Sequence, residues 1–124
     1  MKPIEALSPS SALIEIAGRS QILNANVRGE FPRFPVPAAA VIKARVPFAD
    51  AQPGDSIAVQ AEDGGTLQGE ASQGLVIVGT DHWVNVVFQT AAKDGLNRIT
   101  LRGNGESRML EFWVGKEPPV LVRK

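Results

Sequence analysis

Asp81 and His82 set the chain's single imidazole beside a carboxylate, the pairing that general acid–base and nucleophilic chemistry uses. Neighbouring residues on an extended strand point to opposite faces, so this spacing alone builds no relay. A catalytic His82 also needs an activated nucleophile and an organised electrophilic site. Ser8, Ser10 and Ser11 lie in a terminal Pro/Ser-rich context with no base nearby in sequence. A surface or strand-end histidine is therefore expected. Glu62-Asp63-Gly64-Gly65, with Asp50, Asp55 and Asp81, offers carboxylates to calcium but lacks the ligand spacing of a calcium loop. A solvated hairpin turn is expected there, and no metal ligand is assigned. No carboxylate pair shows the controlled separation that glycosidases need, and no lysine–threonine or lysine–serine pair follows Gly64-Gly65 to make a phosphate loop. Zero cysteines exclude disulfides, thiolate zinc sites and thiol nucleophiles. No catalytic residue and no cofactor is assigned, and the expectation is a protein that is not an enzyme.

The residues better suited to recognition are aromatic. Trp83 and Val87 share one strand face, and Met109, Glu111 and Trp113 share another, each opposite the expected core. Antiparallel pairing that joined the two faces would form an outer patch of Trp83, Val87, Met109, Glu111 and Trp113, suited to an interface with a neighbouring domain or another protein. The same tryptophans, assisted by Asn85, Gln89 or Glu111, could instead stack on a sugar ring, giving a glycan site of Trp83, Asn85, Gln89 and Trp113. A third arrangement covers both indoles with loops or termini of the same monomer. Phe31 and Phe34 could engage a partner or plug an end of the fold. Lys93, Arg98, Arg102 and Arg108 suggest a basic strip, but 13 basic residues balance 13 acidic ones. Solvated strand faces are expected, with no nucleic-acid partner.

These side chains must be positioned by strands. Val84, Val86 and Phe88, then Ile99 and Leu101, then Leu110, Phe112 and Val114 alternate with period two across 81–90, 96–102 and 107–114. Ile42, Ala44 and Val46 form another inward set, and Ile57, Val59 and Ala61 lie between the Gln52-Pro53-Gly54-Asp55 and Asp63-Gly64-Gly65 turns. Residues 12–16 suggest an edge strand, and 21–28 a half-buried one with Leu23, Ala25 and Val27 inward. Gly74-Leu75-Val76-Ile77-Val78-Gly79 is apolar on both faces and suggests a central strand. Three prolines within 30–37 predict an extended crossing. Gly103-Asn104-Gly105 predicts a hairpin. About eight short strands in 124 residues, 44% of them hydrophobic, predict an all-β, two-sheet antiparallel sandwich with a single core. A small closed β-barrel is the alternative. Residues 1–10 are expected to form a flexible N-terminal segment, 11–115 the domain, and 116–124 an edge strand or linker.

Pro53-Gly54-Asp55 before a strand, Gly95-Leu96-Asn97-Arg98-Ile99-Thr100-Leu101, and the closing Leu110-Glu111-Phe112-Trp113-Val114-Gly115 resemble bacterial immunoglobulin-like domains. The resemblance spans roughly 11–115 by pattern; it lacks the familiar disulfide pair, and Asn97 stands where many related sandwiches carry a corner tyrosine. It implies an immunoglobulin-like sandwich acting as a spacer, adhesion module or accessory domain. A non-catalytic structural or protein-interaction module is therefore expected, with carbohydrate binding as the alternative. No apolar run approaches the length of a membrane-spanning helix, so no membrane insertion is expected. Cytoplasmic residence is expected if Met1 begins the complete product, and an extracellular or periplasmic site if the domain belongs to an exported parent. No oligomeric state is assigned.

Overall fold

Period-two alternation along the ten strands of the described residues gives two sheets whose inner faces meet over one interior. The computed structural model describes residues 11–24, 34–48, 50–62, 64–103 and 105–115. In chain order the strands are β1 (Ser11–Ile16), β2 (Arg19–Asn24), β3 (Phe34–Val36), β4 (Val41–Pro47), β5 (Ser56–Glu62), β6 (Thr66–Gln68), β7 (Leu75–Ile77), β8 (Trp83–Gln89), β9 (Gly95–Gly103) and β10 (Glu106–Val114). The 3-10 turn Gly69–Gln73 joins β6 to β7. The first sheet has the order β2-β1-β4-β8-β6 and the second β3-β10-β9-β5-β7. Among the described residues the two sheets do not join through any shared strand pairing, so the architecture is an all-β sandwich and not a closed barrel.

The interior is built from the alternating sets. Ile42, Ala44, Val46, Val84, Val86 and Phe88 from the first sheet face Ile57, Val59, Ile99, Leu101, Leu110, Phe112 and Val114 from the second, all of them buried. Ala61 is partly buried against the same core. Phe88 and Phe112 stack across the layers with centroids 6.0 Å apart, and Phe34 meets Phe112 edge-on at 6.2 Å. Phe34 therefore closes the interior beside β10; Phe31 lies outside the described residues.

Several expectations change once pairing is seen. The two strands beyond the expected eight are short: β3 forms inside the proline-rich crossing, and β6 follows Gly65. β3 runs parallel to β10, with Pro35 opposite Trp113. That edge position suits a proline, which has no N–H to give a further neighbour. β1 is not an edge: it lies between β2 and β4, because Ala17-Gly18 (φ +53° and +81°) turns the chain straight back. β2 spans Arg19–Asn24 with Leu23 buried, while Ala25, Val27 and Arg28 lie outside the described residues. Leu75-Val76-Ile77 is an edge strand and not a central one. Only Val76 enters the core, and Leu75 and Ile77 stand 47% and 48% exposed. The hairpin expected at 103–105 forms, with Gly103 opposite Glu106.

Candidate interaction surfaces

Parity sends Trp83 and Trp113 outward, but from different layers. Trp83 is on β8 of the first sheet and Trp113 on β10 of the second, so the whole thickness of the sandwich separates them. The single patch of Trp83, Val87, Met109, Glu111 and Trp113 therefore does not form, and the glycan set of Trp83, Asn85, Gln89 and Trp113 is divided in the same way. The physical reason is the strand order: β10 pairs with β9 and β3, whereas β8 pairs with β4 and β6.

On the first sheet, β4 places Arg45 across from Asn85 and Pro47 across from Trp83. The Arg45 guanidinium lies over the Trp83 ring, 4.7 Å from its centroid, and forms an ion pair with Asp81. Asp81 Oδ1 also accepts the Trp83 backbone N–H at 3.3 Å. One face of the indole is thus already occupied by a cation held in place by its own carboxylate. Asn85 is exposed, and half-buried Val87 lies between Lys43 and Gln68. The Gln89 side-chain carbonyl accepts from Gln68 Nε2 at 2.8 Å. A shallow depression lined by Leu13, Glu15, Lys43, Arg45, Asn85 and Val87 crosses this sheet.

The second sheet presents a different surface. Across its outer face, Trp113 pairs with Leu96 and Pro35, Glu111 with Arg98, and Met109 with Thr100. Arg98 also faces Glu62 on β5. Its guanidinium reaches Glu62 Oε1 at 3.4 Å and Glu111 Oε2 at 3.3 Å, while Thr100 Oγ1 donates to Glu62 Oε2 at 3.2 Å. The charges in the middle of this face are therefore paired across three strands, and Glu111 is buried beneath its neighbours. Trp113, Leu96 and Met109 remain half-buried on either side of that row. A double-mutant cycle of Arg98→Met and Glu111→Gln is expected to return a coupling of about 0.5–3 kcal/mol in urea unfolding, since water screens the partly exposed Arg98 but reaches little of the buried Glu111. A coupling indistinguishable from zero would show the row to be unconnected.

The remaining candidates have structural partners. His82 adopts a left-handed backbone (φ +65°), and its Nδ1–H donates to the Ala51 carbonyl at 2.8 Å. Its N–H donates to Gly79 O and its carbonyl accepts from Phe48 N–H, at 2.9 and 2.8 Å. The histidine therefore ties the segments before β5 and β8 together. Arg108 does not lie on a solvated face as expected. It is in phase with Leu110 and Phe112, is 3% exposed, sits over the Phe48 ring and donates to the Pro47 carbonyl. With Arg98 ion-paired and Arg108 buried, the supposed basic strip reduces to exposed Lys93 and Arg102. Asn97 is buried, and its Oδ1 accepts the Ala91 N–H at 2.7 Å, closing the β8–β9 loop. Among the described residues, no group of three or more His, Asp or Glu side chains could hold a metal ion, and no helix is long and apolar enough to cross a membrane.

Sequence inspection missed Arg45 as the cover for Trp83, because cross-strand partners are invisible without register. It also missed the exposure of Leu75 and Ile77. The signal available was the shortness of that segment between Gly74 and Gly79, a length that suits an edge strand. Comparison with known protein families and with curated proteins returned no match.

Proposed function

We propose that the chain is a non-catalytic, immunoglobulin-like structural module that docks against a neighbouring domain or another protein through the outer face of its second sheet. The observation that carries this reading is the paired charge row Glu62–Arg98–Glu111 flanked by Trp113, Leu96 and Met109. Burying an isolated charge in an interface is costly, whereas charges already paired within one partner add much less to the cost of desolvation. Tryptophan, methionine and arginine are also the side chains enriched in interface cores. The module's work is geometric: a stiff two-layer body sets the spacing of its neighbours, and burial of the Trp113 side fixes their orientation. The carbohydrate-binding alternative loses its paired aromatic platform, because the two indoles face opposite ways.

A photo-crosslinking residue at position 113 or 109 tests this in the host cell. Discrete crosslinked species are expected from both positions and not from position 83, and Trp113→Ala is expected to remove the crosslink formed at 109 while leaving the β-fold intact. Crosslinking from position 83 alone, or from none of the three, would end the proposal.

A further inference from the structure

Among the described residues the sandwich has four strand edges, β2, β6, β3 and β7, and they are not equally protected. β3 is three residues long and centred on Pro35, which cannot donate to a further strand. β6 is also three residues long and runs directly into the 3-10 turn. β7 is equally short, and the Glu70 carboxylate accepts the Ile77 N–H at 3.1 Å. The geometry of the β5–β7 ladder turns that N–H away from β5, so Glu70 caps the edge where another strand would bind. Short length, proline and a carboxylate are recognised means of blunting a sheet edge.

β2 has none of these. It is six residues long, contains no proline, and its one charged residue, Arg19, stands at its start. The two-residue Ala17-Gly18 turn makes Ile16 and Arg19 a hydrogen-bonded pair. Arg19, Gln21 and Leu23 then bond β1, while the N–H and C=O groups of Ser20 and Ile22 point away from the sheet, without partners among the described residues. Ile22 is 58% exposed, the highest value among the exposed large hydrophobic side chains described. It stands beside Leu13 on the outer face.

From this asymmetry we infer that β2 pairs antiparallel with β2 of a second copy of this chain, extending the first sheet across a two-fold axis. This surface is distinct from the second-sheet face and does not depend on it. The strand's own pattern selects the occupant and the register. Centring the ladder on Ile22 sets it opposite its symmetry mate and joins the two Leu13–Ile22 pairs into one apolar stripe. That register also places the two Arg19 guanidiniums at opposite ends of the junction, so no like charges face each other. A self-complementary patch of this kind closes as a dimer and does not propagate.

The absence of cysteine makes the test clean, since Ile22→Cys introduces one thiol per molecule. A hydrogen-bonded antiparallel pair holds its Cα atoms about 5.5 Å apart, within the range a disulfide spans. Under mild oxidation, Ile22→Cys is expected to form a covalent dimer at least about tenfold faster than Val41→Cys, which is 45% exposed on the same sheet. In analytical ultracentrifugation the unmodified chain is expected to dimerise, and Ile22→Lys, which sets like charges together at the axis, to weaken the dimer at least about tenfold. Ser20→Pro removes only an outward N–H and is expected to act in the same direction with the β1–β2 hairpin retained by circular dichroism. Equal crosslinking of the two cysteine variants, or a chain that stays monomeric at millimolar concentration, overturns the inference. Crosslinking from position 113 is unaffected by either result, so failure here is distinguishable from failure of the second-sheet interface.

Discussion

Phe112→Ala is expected to remove about 3–5 kcal/mol of stability, the usual cost of emptying a buried aromatic site. The ring is fully buried between the two sheets beside β3, stacked on Phe88 and met edge-on by Phe34. Its loss removes transferred apolar area and two aromatic contacts, and leaves a void that strands fixed by their ladders cannot readily close. Since whole domains are typically stable by about 5–15 kcal/mol, this one truncation takes a large share. Urea unfolding should show the midpoint falling by roughly 2 M, with the slope retained. Trp113→Ala, one residue on, should cost much less, because that ring lies outside the sandwich. A loss below about 1 kcal/mol for Phe112→Ala would place the ring outside the interior.

Gly65→Ala is expected to destabilise the domain by about 1–3 kcal/mol through overpacking. A methyl group there would collide with the Phe88 ring and lie 2.8 Å from Asn97 Oδ1, the atom that receives the Ala91 N–H. Gly64 differs: its φ of +95° requires the left-handed region, while the space around it is open to ordinary contact with Ala91. The two adjacent glycines thus serve different needs, one conformational and one steric. The distinction is testable, since shortening the clashing ring in a Phe88→Leu background should relieve much of the Gly65→Ala penalty and little of the Gly64→Ala penalty. Equal penalties in both backgrounds would remove the steric explanation.

Alternation made the interior legible. The inward sets on β4, β8, β9 and β10 follow from period two alone, because a half-buried strand has only two faces. What alternation does not encode is the layer. It marks Trp83 and Trp113 as outward, but outward from which sheet depends on long-range pairing, and that pairing sets them on opposite sides. Nor does parity outrank chemistry in a forecast: Arg108 shares the phase of Leu110 yet was expected in water, because a guanidinium ordinarily stays there. Phe48 and the Pro47 carbonyl, both on the opposite sheet's side of the interior, make its burial possible, and neither is near it in sequence. Gly65 was indistinguishable from a turn glycine for the same reason, since the ring it accommodates arrives from another strand. β7 combined a central strand's composition with an edge strand's length, and length proved decisive.

Hydroxyl-radical footprinting of the purified chain and of the same chain inside the cells that make it addresses the second-sheet interface most directly, because tryptophan and methionine both oxidise readily when water reaches them. Trp113 and Met109 should lose reactivity in the cell while Trp83, on the far side, keeps its own. Unchanged oxidation at Trp113 and Met109, or protection of Trp83 in their place, would contradict docking through that face.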